Sequence, residues 1–164
     1  MKVPYEKAAA STEGLVSEIG MLHRRSVTYY EDAARALADK HDKPAAFFAD
    51  LAEHHKRMTA QLDERLAQFQ AGVHPPARQG IPVVKQREAD FGQALNNHNV
   101  YELATIAADN ENHISDAYRH ALANRTLKGF EYDELEQQHE VVLDWVRRAE
   151  RFKTVPQEEL PEED

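Results

Sequence analysis

"VHPPARQGIPVVKQRE", residues 73–88, carries three of the chain's seven prolines and separates two long stretches that read as helix. Helices in bundles are joined by roughly 2–8 residues, so this connection of 16 is too long for a tight turn. At about 3.3 Å per extended residue it can travel the roughly 45 Å length of a 30-residue helix. That reading selects an all-α four-helix bundle made of two antiparallel hairpins joined by a long crossover, in preference to plain up-and-down wiring.

Outward from this segment, the rarity of proline and the abundance of Ala, Leu, Glu, Gln and Arg predict helices over about 11–40, 43–72, 89–124 and 130–153. The first follows a Ser11 or Thr12 cap, and its apolar line runs Leu15, Ile19, Leu22, Ser26, Tyr30, Ala33, Leu37. The second opens after Asp42 with Pro44 in its first turn, shows Phe48, Leu51, His55, Met58, Leu62, Leu66, Phe69, and stops at Gly72. On the third, Val100, Leu103, Ala107, Ile114 and Tyr118 share one face, and Asp133 to Glu136 has the spacing of a capping box for the fourth. That last helix presents Leu135, His139, Val142, Val146 and Ala149. The joins around His41–Asp42 and around Leu127 are short, as hairpins require. Residues 11–155 therefore form the bundle domain, preceded by an N-terminal extension, 1–10, and followed by an acidic tail, 156–164, too polar to pack.

A chain of 164 residues, 41% of them hydrophobic, supports one domain with a real core. No secretory leader or membrane-spanning run is legible, which makes the expected location cytoplasmic. The net charge of −9, with five acids in the last eight residues, argues against nucleic acid and anionic membranes as partners. With no cysteine in the chain, any metal must be held by His, Asp, Glu or Tyr. The six scattered glycines make no phosphate-binding loop, and the sparse Ser and Thr show no triad pattern, so no catalytic residue is assigned and the expectation leans against an enzyme.

Titratable residues interrupt the apolar faces. Advancing 100° per residue puts His55, Glu111 and His139 near the centres of the second, third and fourth stripes. At about 1.5 Å of rise per residue, all three lie near mid-height, within about two turns of one another. Glu136 flanks the same stripe one turn from His139, Tyr30 offers a phenol at similar depth, and His23 sits lower on the first helix. His54 and Glu53 are expected in solvent, and His98, His113 and His120 face outward. An ionised carboxylate is expensive to bury, and two imidazoles with a carboxylate suit iron, zinc or manganese.

The Glu136-x-x-His139 spacing in "ELEQQHEVV" resembles the motif of ferritin-like di-iron bundles, and Glu111 matches the single glutamate of their third helix. His55 fits the histidine of the second helix, but its expected glutamate partner is Ala52, and the first helix has no inward glutamate near Ser26 or Tyr30, since Glu18 lies well below the layer and Glu31 faces outward. "YEDAA" from Tyr30, and Glu111 seven residues before "YRHAL", are similar to a bacterial branch of the ferritin-like superfamily that has no assigned activity. The likeness covers roughly residues 15–150 and implies the fold rather than a reaction.

Two readings follow. In the first, His55, Glu111 and His139 are metal ligands, Glu136 is a fourth, and Tyr30 is an axial ligand or an orienting neighbour. In the second, the protein is a non-catalytic helical module whose buried His/Glu layer fixes packing and which acts through its surface as a homodimer or adaptor.

Overall fold

The computed structural model describes residues 12–68, 82–97, 99–123 and 129–154. The described residues form an all-α architecture of five helices with no strand: α1 Thr12–Leu37, α2 Asp42–Gln68, α3 Pro82–Asn96, α4 Val100–Leu122 and α5 Gly129–Thr154. The expected extension 1–10, the tail 156–164, the stop at Gly72 and the join at Leu127 lie outside the described residues.

Helical periodicity located the buried faces well on three of the four expected helices. Every residue of the α1 line is buried, as are Phe48, Leu51, His55, Met58 and Leu62 on α2 and Val100, Leu103, Ala107, Glu111, Ile114 and Tyr118 on α4. Fully burying one side chain such as Phe48 or Leu103 contributes about 1.5–3 kcal/mol, which is what fixes each face inward. On α5 the inward line is Leu135, Gln138, Val142, Trp145, Ala149, and His139 lies at its edge, half-buried.

The expected third helix is broken. Its first part is α3, which begins at Pro82, a residue suited to the first helical position because its missing N–H is not needed there. The chain then turns through Asn97 and restarts at Asn99, whose side-chain oxygen accepts from the Glu102 N–H at 3.0 Å and caps α4. Asparagine bonds its own local backbone and so favours such a break over an unbroken helix, even without proline. The long connection is accordingly helical over part of its length. At the other end, α5 starts at Gly129, four residues before the expected capping box, with a φ of +54° that glycine adopts without strain.

Contacts fix the directions of neighbouring helices. Tyr30 packs on Phe48 while His23 meets His55, so α1 and α2 are antiparallel. Tyr30 bonds Glu111 and His23 meets Tyr118, so α1 and α4 are antiparallel too. Between α4 and α5, Asn112 reaches Glu150 and Tyr118 reaches Gln138. Phe47 stacks on Phe152 and Arg65 pairs with Glu134, which sets α2 against α5 in the same opposed sense. Helix α3 lies across α1 and α4, with Phe91 packed on Tyr29.

The core is divided along the bundle axis. One apolar cluster gathers Tyr29, Ala33, Leu37, Phe48, Leu51, Phe91 and Leu103; the other gathers Leu15, Ile19, Leu22, Leu62, Ile114 and Leu135. Between them lie the buried polar residues His23, Ser26, His54, His55, Asn110 and Glu111, and the buried Ser115 and Gln138 adjoin them on the side of the second cluster.

Candidate metal centre

Position along α1 puts His23 one turn below Ser26 and two turns below Tyr30, all on the inward face. Helix α2 is packed between α1 and α5, so its buried arc is wide enough to enclose two successive residues, His54 and His55. His54 is 1% exposed, and the expectation that it lies in solvent is wrong. Its ring stacks on Trp145 of α5, with centroids 5.4 Å apart, while His55 turns toward α1 and α4.

One ring nitrogen from each of His23, His54 and His55 lies within 4.8 Å of the other two, a buried cluster that could hold a metal ion. His23 Nδ1 and His55 Nδ1 are 2.7 Å apart. Behind the pair, His55 Nε2 is 2.7 Å from Glu111 Oε2, and His23 Nε2 is 2.7 Å from the Tyr118 hydroxyl. Each outer nitrogen therefore has its own partner, and the two Nδ1 atoms face one another.

The partners are themselves oriented. Tyr30 donates its hydroxyl to the same Glu111 Oε2 at 2.7 Å, and Asn110 Nδ2 donates to both Tyr30 and Ser26 at 2.9 Å. Tyr118 donates to Gln138 Oε1 at 2.8 Å, and Gln138 Nε2 donates to Gln61 Oε1 at 3.0 Å. At the layer itself, Glu111 Oε1 and His54 Nε2 are buried without a hydrogen-bond partner among the described residues.

The electrostatics favour neutral rings. Burial, reinforced by repulsion from His55 and His54, lowers His23 well below the usual histidine range. Burial, then His55, Arg57 and Arg148, lowers His54 to about 2. Burial, with Glu111 and Glu134 adding to it, raises the Tyr118 phenol well above its ordinary value, so it remains a hydroxyl. Neutral imidazole is the form that binds a metal.

Of the residues singled out in the sequence, the structure brings together Tyr30, His55 and Glu111 and leaves two apart. His139 stacks on the far side of Tyr118, with centroids 5.6 Å apart, and its Nε2 lies 2.9 Å from Ser115 Oγ. Burial and Arg119 lower its pKa, against the opposing influence of Glu140. Glu136 is exposed on α5, because the inward line runs through Leu135 and Gln138 instead. Glu111 occupies the outer side of His55, behind the ring rather than among the three facing nitrogens. His113 is half-buried, not fully outward, and His98 lies outside the described residues.

His23 and His54 are the site residues that sequence reasoning passed over. The signal for them was the adjacent pair His54–His55 on a helix with two neighbours, and the match in depth between His23 and His55 across an antiparallel hairpin. No family model, curated protein or solved structure matches this chain.

Proposed function

We propose that this chain is a ferritin-like helical bundle that binds one transition-metal ion through His23, His54 and His55, with Glu111 and Tyr118 holding two of the rings from behind. The observation that carries the reading is the facing pair of Nδ1 atoms at 2.7 Å. The Glu111 carboxylate and the Tyr118 oxygen, which gives its only proton to Gln138, are both acceptors, so each histidine presents its N–H outward. Two lone pairs then point at each other across a buried gap, and a cation between them resolves the conflict. Burial works against a proton there, as the lowered His23 shows. A carboxylate behind a ligating histidine is the usual support for such a ring.

Three imidazoles favour zinc, copper, iron or nickel over manganese, which prefers oxygen ligands. Around a tetrahedral ion with bonds of about 2.0–2.1 Å, nitrogens sit roughly 3.3 Å apart, so the His23 and His55 rings must part by about 0.6 Å on loading. The ferritin-like assignment is supported by helix direction: α2 and α4 each oppose both α1 and α5, and the long connection between them then has to cross the bundle.

The second reading, a packing module without metal, is favoured by the same short contact, since 2.7 Å is a hydrogen-bond distance and the layer ties four helices together. Trp145, the chain's sole tryptophan, separates the two readings because it stacks on His54. Titration of the full chain with Cu(II) is expected to quench its fluorescence with an end point near one ion per chain, and His23→Ala is expected to abolish the quench. Unchanged emission from the folded wild type at saturating copper would leave the packing module as the function.

A further inference from the structure

Resting on the metal-binding reading above, we infer that Gln138 is a positioning residue for the metal, selecting through Tyr118 the histidine tautomer that leaves His23 Nδ1 free to ligate. The chain of contacts from Gln61 through Gln138 and Tyr118 to His23 has one direction at a time. With Gln138 Oε1 turned to Tyr118, the phenol donates to the amide and must accept from His23 Nε2–H. His23 then carries its one proton on Nε2, and Nδ1 is bare. With the amide reversed, Gln138 Nε2–H donates to Tyr118, the phenol donates to His23 Nε2, and the ring proton moves to Nδ1. There it is donated across the 2.7 Å gap to His55 Nδ1, which satisfies the pair and closes the site to a cation.

Gln138 is 3% exposed and its hydrogen bonds go to Tyr118 and Gln61 rather than to the trio, so its influence passes through Tyr118. Its Nε2 donates to Oε1 of Gln61, an exposed residue of α2, so a side chain at 61 that can only donate or only accept dictates which way the Gln138 amide turns. A surface position is thus linked to the proton arrangement at a fully buried site by a chain of hydrogen bonds that joins α2, α5, α4 and α1. The imidazole trio supplies the ligands; the two glutamines and Tyr118 decide whether one of them is free to bind.

The test measures zinc affinity by chelator competition on the full chain, with ring ¹⁵N shifts of His23 recorded in parallel. Gln138→Leu removes the acceptor for Tyr118, and Gln61→Lys presents a donor that turns the Gln138 amide around. Both are expected to weaken zinc binding by about 10- to 100-fold, the usual effect of losing an outer partner of a metal ligand. In both variants the His23 proton is expected on Nδ1 in the metal-free protein. Gln138→Glu and Gln61→Glu keep acceptors in place and are expected to stay within about threefold of wild type, well below that range. Because Gln61 is exposed, its variants carry the test even if Gln138→Leu does not fold. Wild-type affinity in Gln61→Lys, with the His23 proton still on Nε2, overturns the inference while leaving the metal site standing. A folded wild type that binds no zinc overturns the metal reading itself.

Discussion

Glu111 is the residue whose replacement tests the buried layer most sharply. Leucine at 111 keeps the approximate volume and removes the one oxygen that accepts from both Tyr30 and His55. The side chain is 0% exposed, so water cannot take the place of that acceptor. Each stranded donor costs about 1–3 kcal/mol, or roughly 2–6 kcal/mol for the two. Against this, the substitution also removes the unpartnered Glu111 Oε1, recovering about 1–3 kcal/mol by the same scale. The net loss is about 2 kcal/mol, and for a chain of this size that lowers the melting midpoint by about 4–8 °C. Thermal unfolding followed by far-ultraviolet circular dichroism, with chelator present throughout, measures it free of any contribution from metal. Glu136→Gln, at an exposed position, is the control and should leave the midpoint unchanged. A Glu111→Leu protein as stable as wild type would mean that Tyr30 and His55 do not depend on this carboxylate, and the hydrogen-bond layer would have to be redrawn.

Other expectations concern protonation and the helix break. Folding holds His54 neutral down to about pH 2, whereas in the unfolded chain it takes up a proton below about 6.5. The sign is therefore fixed: stability present above pH 6.5 falls as pH drops, by up to about 1.4 kcal/mol per unit from this residue. Urea unfolding of metal-free protein between pH 7 and 5.5 should show the decline, and His54→Gln should make it shallower; an equal slope in the variant would mean that a group other than His54 takes up the proton. Asn99→Ala removes the cap of α4 and should cost about 1 kcal/mol, a drop in midpoint of about 2–4 °C. An unchanged midpoint would show that the start of α4 is set by packing alone.

Helical periodicity read from the sequence was enough to find the stripes of α1, α2 and α4, because an apolar residue every third or fourth position has no other stable use in a helix with one wet face. It failed where asparagine, rather than proline, ended a helix, since the penalty for continuing through Asn97 and Asn99 is small and local. It also misjudged α5, where the polar Gln138 occupies the inward position and the neighbouring His139 the edge. One residue of offset rotates a helix by about 100°, enough to exchange a buried group for a half-exposed one.

At the site, Glu111, His55 and Tyr30 were legible as inward groups, but their pairing was not. Which histidine meets which depends on the direction and spacing of helices distant in sequence: His23 and His55 are 32 residues apart, and His23 and Tyr118 are 95 apart. His54 was hidden for a simpler reason. A single apolar stripe assigns it to solvent, and only a helix covered on two sides can bury both it and His55.

If His23, His54 and His55 hold a metal ion, the protein keeps that ion through desalting after zinc or iron loading in the absence of chelator, and elemental analysis counts it. Wild type, His139→Ala and Glu136→Ala are each expected to retain about one ion per chain, while His23→Ala and His54→Ala retain none; the one-ion expectation follows from the one three-histidine set among the described residues. Loss of the ion in His139→Ala with retention in His54→Ala would move the site to the other side of Tyr118 and contradict the assignment.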